Sequence, residues 1–160
     1  MRALTEIGRI ANAHLADGRN VDIDLVDGCI TAVNDANTTM VQPGDAVHDL
    51  GGWLLLPAMA EPHAHLDKAL TADLVPNPAG DLRGAIDAWI EAAEGGRITH
   101  DDTVDRATTA MEMLLVRGVT AVRSHVNVGA GYGATSVNAV HQARSRLEGL
   151  IQVQTVGLVH

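Results

Sequence analysis

The stretch that decides the fold runs from Leu54 to Lys68, with the sequence Leu-Leu-Leu-Pro-Ala-Met-Ala-Glu-Pro-His-Ala-His-Leu-Asp-Lys. An apolar run leads into a short strand that ends at Pro62-His63-Ala64-His65. Side chains two positions apart on an extended strand point to the same face, so His63 and His65 are placed to share a metal ion. A lone His-x-His pair also arises by chance, and its surroundings therefore decide how much it means.

The segment before this stretch, residues 1–57, has the pattern of short strands separated by turns. Val21–Val26 alternates apolar and acidic residues, and Asp27-Gly28 leads tightly into residues 29–33, which predicts a hairpin. A further strand pair is predicted from residues 46–50 and 53–56, around Gly51-Gly52. Residues 1–57 are therefore expected to form small all-β packing.

The segment after the stretch alternates between helical and strand patterns. A helix is expected after Asp81 and a second after Thr99, followed by a strand at 119–128, a helix through 137–147 and a strand at 150–159. This alternation is typical of an α/β fold with a parallel sheet and right-handed crossovers. A closed (β/α)₈ barrel takes about 250 residues, so residues 58–160 have room for its first three β/α units.

Five segments of the chain resemble the amidohydrolase superfamily, and within it the cytosine deaminase branch. The resemblance covers residues 50–160 and matches the N-terminal portion of such enzymes. The segments occur in the family's order and at about its intervals: Leu54–Pro57, Glu61–Lys68, Ile98–Asp102, Val122–Val126 and Gln152–Val156.

The resemblance implies a fold and a chemistry. The fold would be a TIM-type barrel with a companion β-sandwich, so that residues 1–57 are the N-terminal part of the sandwich and residues 58–160 the first three units of the hydrolase barrel. The chemistry would use one divalent metal ion, iron or zinc, with His63 and His65 as its first two ligands. The remaining ligands and the glutamate that shuttles the proton would lie beyond residue 160.

The function that the resemblance implies is hydrolysis of a C–N bond outside peptides, in which a nitrogen heterocycle is deaminated. A metal-bound water has a pKa lowered toward neutrality, and it can then attack an electrophilic ring carbon and expel ammonia. The 160-residue chain is expected to be an N-terminal fragment that is inactive by itself.

Four residues are expected to contact the substrate: Asp67, Lys68, His125 and His160. The carboxyl ends of barrel strands are where such sites are built. The alternative for Asp67 and Lys68 is a plain surface pair, and for His125 a strand histidine bonded to a backbone carbonyl. Cytosine-hydrolysing members carry Pro-Gln where this chain has Val159-His160. This departure predicts a substrate other than cytosine.

The composition of the chain excludes several classes of binding partner and metal site. The net charge of -9, with no basic stripe, argues against nucleic acid, and the single Cys29 excludes an internal disulfide and a zinc site built on paired cysteines. No apolar run approaches the roughly 20 residues of a membrane span, and no secretory signal is evident. We expect a cytoplasmic protein that acts on a small molecule, with self-association through an open apolar strand edge.

Two alternatives to the hydrolase stay open at this stage. Gly129–Ala134 satisfies Gly-x-Gly-x-x-Ala between a strand and a helix, as a dinucleotide-binding Rossmann fold requires. Against it, the acidic residue that should follow the next strand is missing, because Glu148 precedes that strand and residues 150–160 contain no acid. The other alternative is a non-catalytic remnant or binding module of the barrel fold.

Overall fold

The computed structural model describes residues 7–36, 46–129 and 133–159. The chain forms two compact units, Met1–Pro57 and Ala58–His160. Within the described ranges, no helix is both long enough and apolar enough to cross a membrane.

The first unit is built on one sheet of five short strands. They are β1 (Arg9–Leu15), β2 (Asn20–Val26), β3 (Cys29–Asp35), β4 (Val47–Asp49) and β5 (Leu54–Leu55). The sheet order is β3-β2-β1-β4, and β5 also pairs with β1. The hairpin predicted from Asp27-Gly28 is confirmed: both turn residues have positive φ, 51° and 76°, and β2 pairs with β3 antiparallel.

The strand pair predicted around Gly51-Gly52 is wrong in its pairing. Both segments contain strands, but β4 and β5 each pair parallel with β1 and not with each other. The amides of Leu50 and Gly52 donate to the carbonyls of Ala11 and Asn12, so this stretch follows β1 past the two glycines, which both have positive φ. The glycines therefore interrupt one edge strand and do not reverse the chain.

The second unit is a parallel sheet with helices between its strands. Its elements are β6 (Met59–Ala64), α1 (Leu82–Glu94), α2 (His100–Leu115), β7 (Val119–Val128), α3 (Thr135–Arg146) and β8 (Gln152–Val159). The sheet order is β6-β7-β8, and both pairings are parallel. The mixed α/β organisation predicted from the alternating pattern is confirmed.

Side-chain caps set where the first two helices of this unit begin. The Asp81 carboxylate accepts from the Gly84 amide at 2.6 Å, and the Thr99 hydroxyl accepts from the Asp102 amide at 3.2 Å. Each cap satisfies an amide that has no partner inside the helix. Asp101 and Asp102 also place negative charge in the first turn of α2, where the helix dipole favours it.

One face of the parallel sheet packs against α2 and α3. Val122, Val126 and Val153 of the sheet meet Met111 of α2 and Val140 of α3, and all five side chains are buried. Residues of β7 on the other face are more exposed, and Arg123 donates to the Gln154 side chain of β8 at 2.7 Å. This packing holds the carboxyl ends of β6 and β7 side by side, which is where the candidate site lies.

Candidate metal and substrate site

The carboxyl end of β6 presents two histidines together. The Glu61 carboxylate accepts from the His63 amide at 2.9 Å, which supports the end of the strand. The rings of His63 and His65 have centroids 5.3 Å apart. Two imidazoles that bind one ion at about 2.1 Å must have centroids roughly 4.5 to 5.5 Å apart. The observed spacing therefore suits a shared ion.

His65 is held in one orientation by a backbone carbonyl. Its Nδ1 atom lies 2.9 Å from the carbonyl oxygen of His125, on the neighbouring strand. Because a carbonyl oxygen can only accept, the proton is on Nδ1, and Nε2 of the neutral ring keeps the lone pair that binds a metal. Burial lowers the pKa of His65 and the Lys68 ammonium lowers it further, and both effects favour the neutral ring.

His125 completes a group of three imidazoles. Its ring stacks on that of His63, with centroids 4.2 Å apart and planes at 24°, and lies 5.9 Å from that of His65. The His125 Nδ1 atom is buried and has no hydrogen-bond partner among the described residues. The three rings thus form one cluster at the end of β6 and β7, in which His125 keeps an unused polar atom.

The cluster fits part of a metal centre. Neutral imidazoles held by an outer hydrogen bond are the donors that zinc and iron take in proteins. Within residues 7–36, 46–129 and 133–159, however, no group of three or more His, Cys, Asp or Glu side chains is arranged to hold an ion. His63 and His65 alone offer two nitrogen donors, fewer than the four ligands of a typical zinc centre.

Asp67 and Lys68 follow His65 in the sequence, and both bond to Asn127 of β7. Asp67 is completely buried, and its Oδ2 atom accepts from the Asn127 amide at 3.0 Å and from Lys68 Nζ at 3.1 Å. Lys68 also donates to Asn127 Oδ1 at 2.8 Å and lies 5.0 Å from the centre of the Trp89 ring. Asp67 and Lys68 therefore do not form a plain surface ion pair.

An open groove of about 450 Å³ borders the two histidines. It is lined mainly by apolar side chains from the segment after β6 and from the C-terminal part of α2, including Leu70, Met113, Leu114 and Val116. The groove is mostly apolar with a few polar groups, which is the usual make-up of a small-molecule site.

Of the predicted site residues, the structure brings five together, and His160 lies outside the described residues. His63, His65, Asp67, Lys68 and His125 all lie at the ends of β6 and β7 or in the segment that follows β6.

Three supporting residues were missed by the sequence analysis: Ser124, Asn127 and Arg106. All three are buried polar residues. Ser124 and Asn127 stand in the buried strand β7, and polar residues in such a strand were the available signal.

Comparison with known proteins shows what the sequence and fold of this chain resemble. No protein-family model matches the chain. Pterin deaminase from Rhizobium rhizogenes (strain K84) is 26% identical over 137 residues, which are 86% of this chain and 31% of the relative. The structure of 5-methylcytosine deaminase from Klebsiella pneumoniae liganded with 5-fluorocytosine matches with a TM-score of 0.82 at 30% identity, over 93% of this chain and 36% of that protein. The relatives of this chain are amidohydrolases.

Other amidohydrolase structures support the same fold. N-isopropylammelide isopropylaminohydrolase from Burkholderia multivorans matches with a TM-score of 0.74 at 27% identity, over 94% of this chain and 37% of that one. Atrazine chlorohydrolase from Arthrobacter aurescens TC1, solved in complex with zinc, matches with a TM-score of 0.63 at 18% identity, a likeness of fold alone.

The amidohydrolase resemblance inferred from the sequence is confirmed, and these relatives are hydrolytic enzymes. The chain spans about a third of the length of the relatives it matches.

Proposed function

We propose that this chain carries the first two metal ligands, His63 and His65, of a hydrolase that deaminates a nitrogen heterocycle. The observation that carries the proposal is the hydrogen bond between His65 Nδ1 and the His125 carbonyl, beside a second imidazole at a suitable spacing. Outer hydrogen bonds of this kind fix the tautomer of metal-binding histidines. In parallel barrels, the carboxyl end of a strand is where catalytic groups are found.

The proposed metal ion is divalent, iron or zinc. When bound, such an ion supplies a water of lowered pKa and polarises the group under attack. His65 contributes a neutral ring with its lone pair on Nε2, and His63 contributes a more exposed imidazole.

The substrate-binding roles predicted for Asp67, Lys68, His125 and His160 stay proposals. Lys68 is the best placed of the described residues to bind a substrate. Asp67 and Asn127 take two of its three ammonium hydrogens, which leaves one for a ligand, and its side chain is 27% exposed. The third hydrogen of Lys68 can bond to a heteroatom of a small ring. The His125 ring belongs to the same cluster, and its unpartnered Nδ1 atom is buried.

The substrate class rests on what the relatives' names share. Pterin deaminase, 5-methylcytosine deaminase and N-isopropylammelide isopropylaminohydrolase are all named for the removal of an amino or alkylamino group. We propose a substrate of the same kind, other than cytosine because of the Val159-His160 sequence. The closed barrel, the companion sandwich, the cytoplasmic location and self-association are proposed with it.

A second candidate is a binding module without catalysis. It is favoured by the finding that the described residues contain no group of three or more side chains arranged to hold a metal. Such a module would bind an ion weakly through His63 and His65 and release no ammonia from any heterocycle.

The proposal is tested by titrating the chain with metal. Calorimetry measures binding, and the imidazole ¹⁵N shifts report which histidines take part. Zn²⁺ and Co²⁺ are added to the wild type, to the double variant H63A/H65A and to the matched control H48A/H141A. The control removes two exposed histidines that lie outside the cluster. We expect one saturable site in the wild type and the control, and none in H63A/H65A. Equal binding by H63A/H65A would overturn the assignment.

A further inference from the structure

Four hydrogen bonds tie the segment after β6 to the end of β7, and we call this set the strand-end clasp. It joins residues 65–68 to residues 124–127. The bonds are His65 Nδ1 to the His125 carbonyl (2.9 Å), the Leu66 amide to Ser124 Oγ (3.0 Å), the Asn127 amide to Asp67 Oδ2 (3.0 Å) and Lys68 Nζ to Asn127 Oδ1 (2.8 Å). The clasp thus includes the candidate ligand His65.

Asp67 is the costly member of the clasp. Its side chain is 0% exposed, and taking a carboxylate out of water is expensive unless its charge and lone pairs are satisfied. Only Oδ2 has partners among the described residues, and Oδ1 is buried without one. An apolar residue would fill the same space without this cost, so the carboxylate needs an explanation beyond packing.

The contacts of Asp67 supply that explanation. The amide that it accepts belongs to Asn127, two residues after His125. The pairing of β6 with β7 ends at Ala64 and Ser124, so β6 does not reach the Asn127 amide. This part of β7 also pairs with β8, so the bond from the Asn127 amide ties the Asp67 segment to a paired strand, two residues from the His125 carbonyl that meets His65 Nδ1. Lys68 strengthens the same contact because it bridges Asp67 Oδ2 and Asn127 Oδ1.

We infer that Asp67 is a positioning residue for His65. Its carboxylate holds the segment after β6 against the end of β7, the His125 carbonyl then fixes the His65 ring, and the lone pair on Nε2 would be available to a metal ion. The inference rests on the proposed role of His65 as a ligand. It assigns Asp67 to the support of that ligand, and this role replaces the substrate contact proposed above for Asp67, whose side chain is 0% exposed.

The test uses three variants of the chain and a readout that does not need a metal. Asp67→Ala removes the acceptor, and Asp67→Asn keeps the shape and one acceptor oxygen but loses the charge. Met111→Ala is the matched control, because Met111 is equally buried in the same unit and lies outside the clasp. Long-range ¹H–¹⁵N spectra report the His65 tautomer in the metal-free chain, and Zn²⁺ titration reports affinity.

We expect Asp67→Ala to lose the single Nδ1–H tautomer of His65 and to weaken Zn²⁺ binding by about 10- to 100-fold, as is typical when an outer partner of a metal ligand is removed. Asp67→Asn should fall between this variant and the wild type. Met111→Ala should keep both the tautomer and the affinity, even though it is less stable. This contrast separates positioning from general loss of stability.

Other outcomes would overturn the inference. An unchanged tautomer in Asp67→Ala, or an equal loss in Met111→Ala, would show that Asp67 does not act through His65. If Asp67→Ala does not fold, the His65 ¹⁵N shifts of Asp67→Asn decide, and a spectrum identical to the wild type counts against the role. A wild-type chain that binds no metal but whose tautomer depends on Asp67 would refute the proposed function and leave the positioning role standing.

Discussion

Nη1 of Arg106 lies 2.7 Å from the backbone carbonyl oxygen of Ala69, in the segment that follows the histidine pair. The same atom also donates to the Asp67 carbonyl at 3.1 Å, while Nε pairs with Asp102 on α2 at 2.9 Å. A helix and the site segment are therefore joined through one guanidinium that is 8% exposed. The planar, forked donors of arginine suit such a junction better than a lysine ammonium does.

The first prediction concerns this junction. Arg106→Ala should lower the free energy of unfolding by about 3 kcal/mol, because the carbonyls of Asp67 and Ala69 lose their donor and Asp102 loses its partner. Urea denaturation followed by circular dichroism measures the loss. Arg83→Ala is the control: Arg83 makes a similar i,i+4 ion pair on α1 but is 83% exposed, and its removal should leave the stability essentially unchanged. Equal stability of the two variants would contradict the prediction.

The second prediction concerns a carboxylate in the first unit. The Asn12 side chain donates to Asp49 at 2.8 Å and is the largest cause that lowers the pKa of Asp49, followed by the Gly51 amide. Asn12→Gly, which tolerates the positive φ of this position, should raise the pKa of Asp49 toward its ordinary value. Carboxyl ¹³C shifts followed against pH would measure the change.

The sign of the linked stability follows from this direction. Because the folded-state pKa of Asp49 is depressed, the stability that this carboxylate contributes is present above its unfolded-state pKa and is lost as pH falls through the folded-state pKa. Asn12→Gly should shrink that acid-sensitive contribution. Asp17, whose pKa is lowered by Arg19, provides an internal reference that should not move. A shift of Asp17 equal to that of Asp49 would point to a general change in the unit.

The third prediction concerns the substrate. An active enzyme that contains residues 1–160 should release ammonia faster from another amine-bearing heterocycle than from cytosine. A pocket that lacks a paired amide contact leaves polar groups of the wrong substrate unsatisfied, which discriminates strongly. Ammonia release over a panel of aminopyrimidines, aminopterins and aminotriazines measures the preference. Cytosine as the best substrate of the panel would refute the prediction.

The fourth prediction concerns the 160-residue chain itself. Supplied with iron or zinc, it should release no ammonia above the metal blank, since two histidines alone leave most of the coordination shell to water. Turnover and size in solution should be measured on the same sample. Substantial metal-dependent deamination by a monodisperse monomer would show that the chain needs no further groups for catalysis.

Local signals carried most of the fold prediction. The strand β7 occupies the residues expected from its apolar run, and Asp81 and Thr99 cap helices where their sequence context placed them. The pairing of β4 and β5 could not be predicted in the same way, because strand partners are chosen by contacts distant in sequence. Two adjacent glycines predict a change in the direction of the backbone, but they do not predict whether the chain bends or reverses.

The candidate site was predictable only in part. The pair His63 and His65 follows from the two-residue period of a strand, and the structure brings their rings together. The partners of Asp67 could not be foreseen, because Asn127 lies sixty residues later and nothing in its local pattern indicates a bond to a buried carboxylate. Arg106 was missed because a single charged residue beside an apolar helix face usually points to solvent.

The strand-end clasp also has a consequence for the order of folding. Its bonds join groups 58 to 60 residues apart, while β6 and the two histidines are neighbours in sequence. Closing so long a segment lowers the entropy of the chain before the new contacts can stabilise it. The clasp is therefore expected to form after the local helices. During refolding, His65 should therefore acquire its fixed tautomer only when β7 docks, and high-affinity metal capture should lag behind the first helical signal.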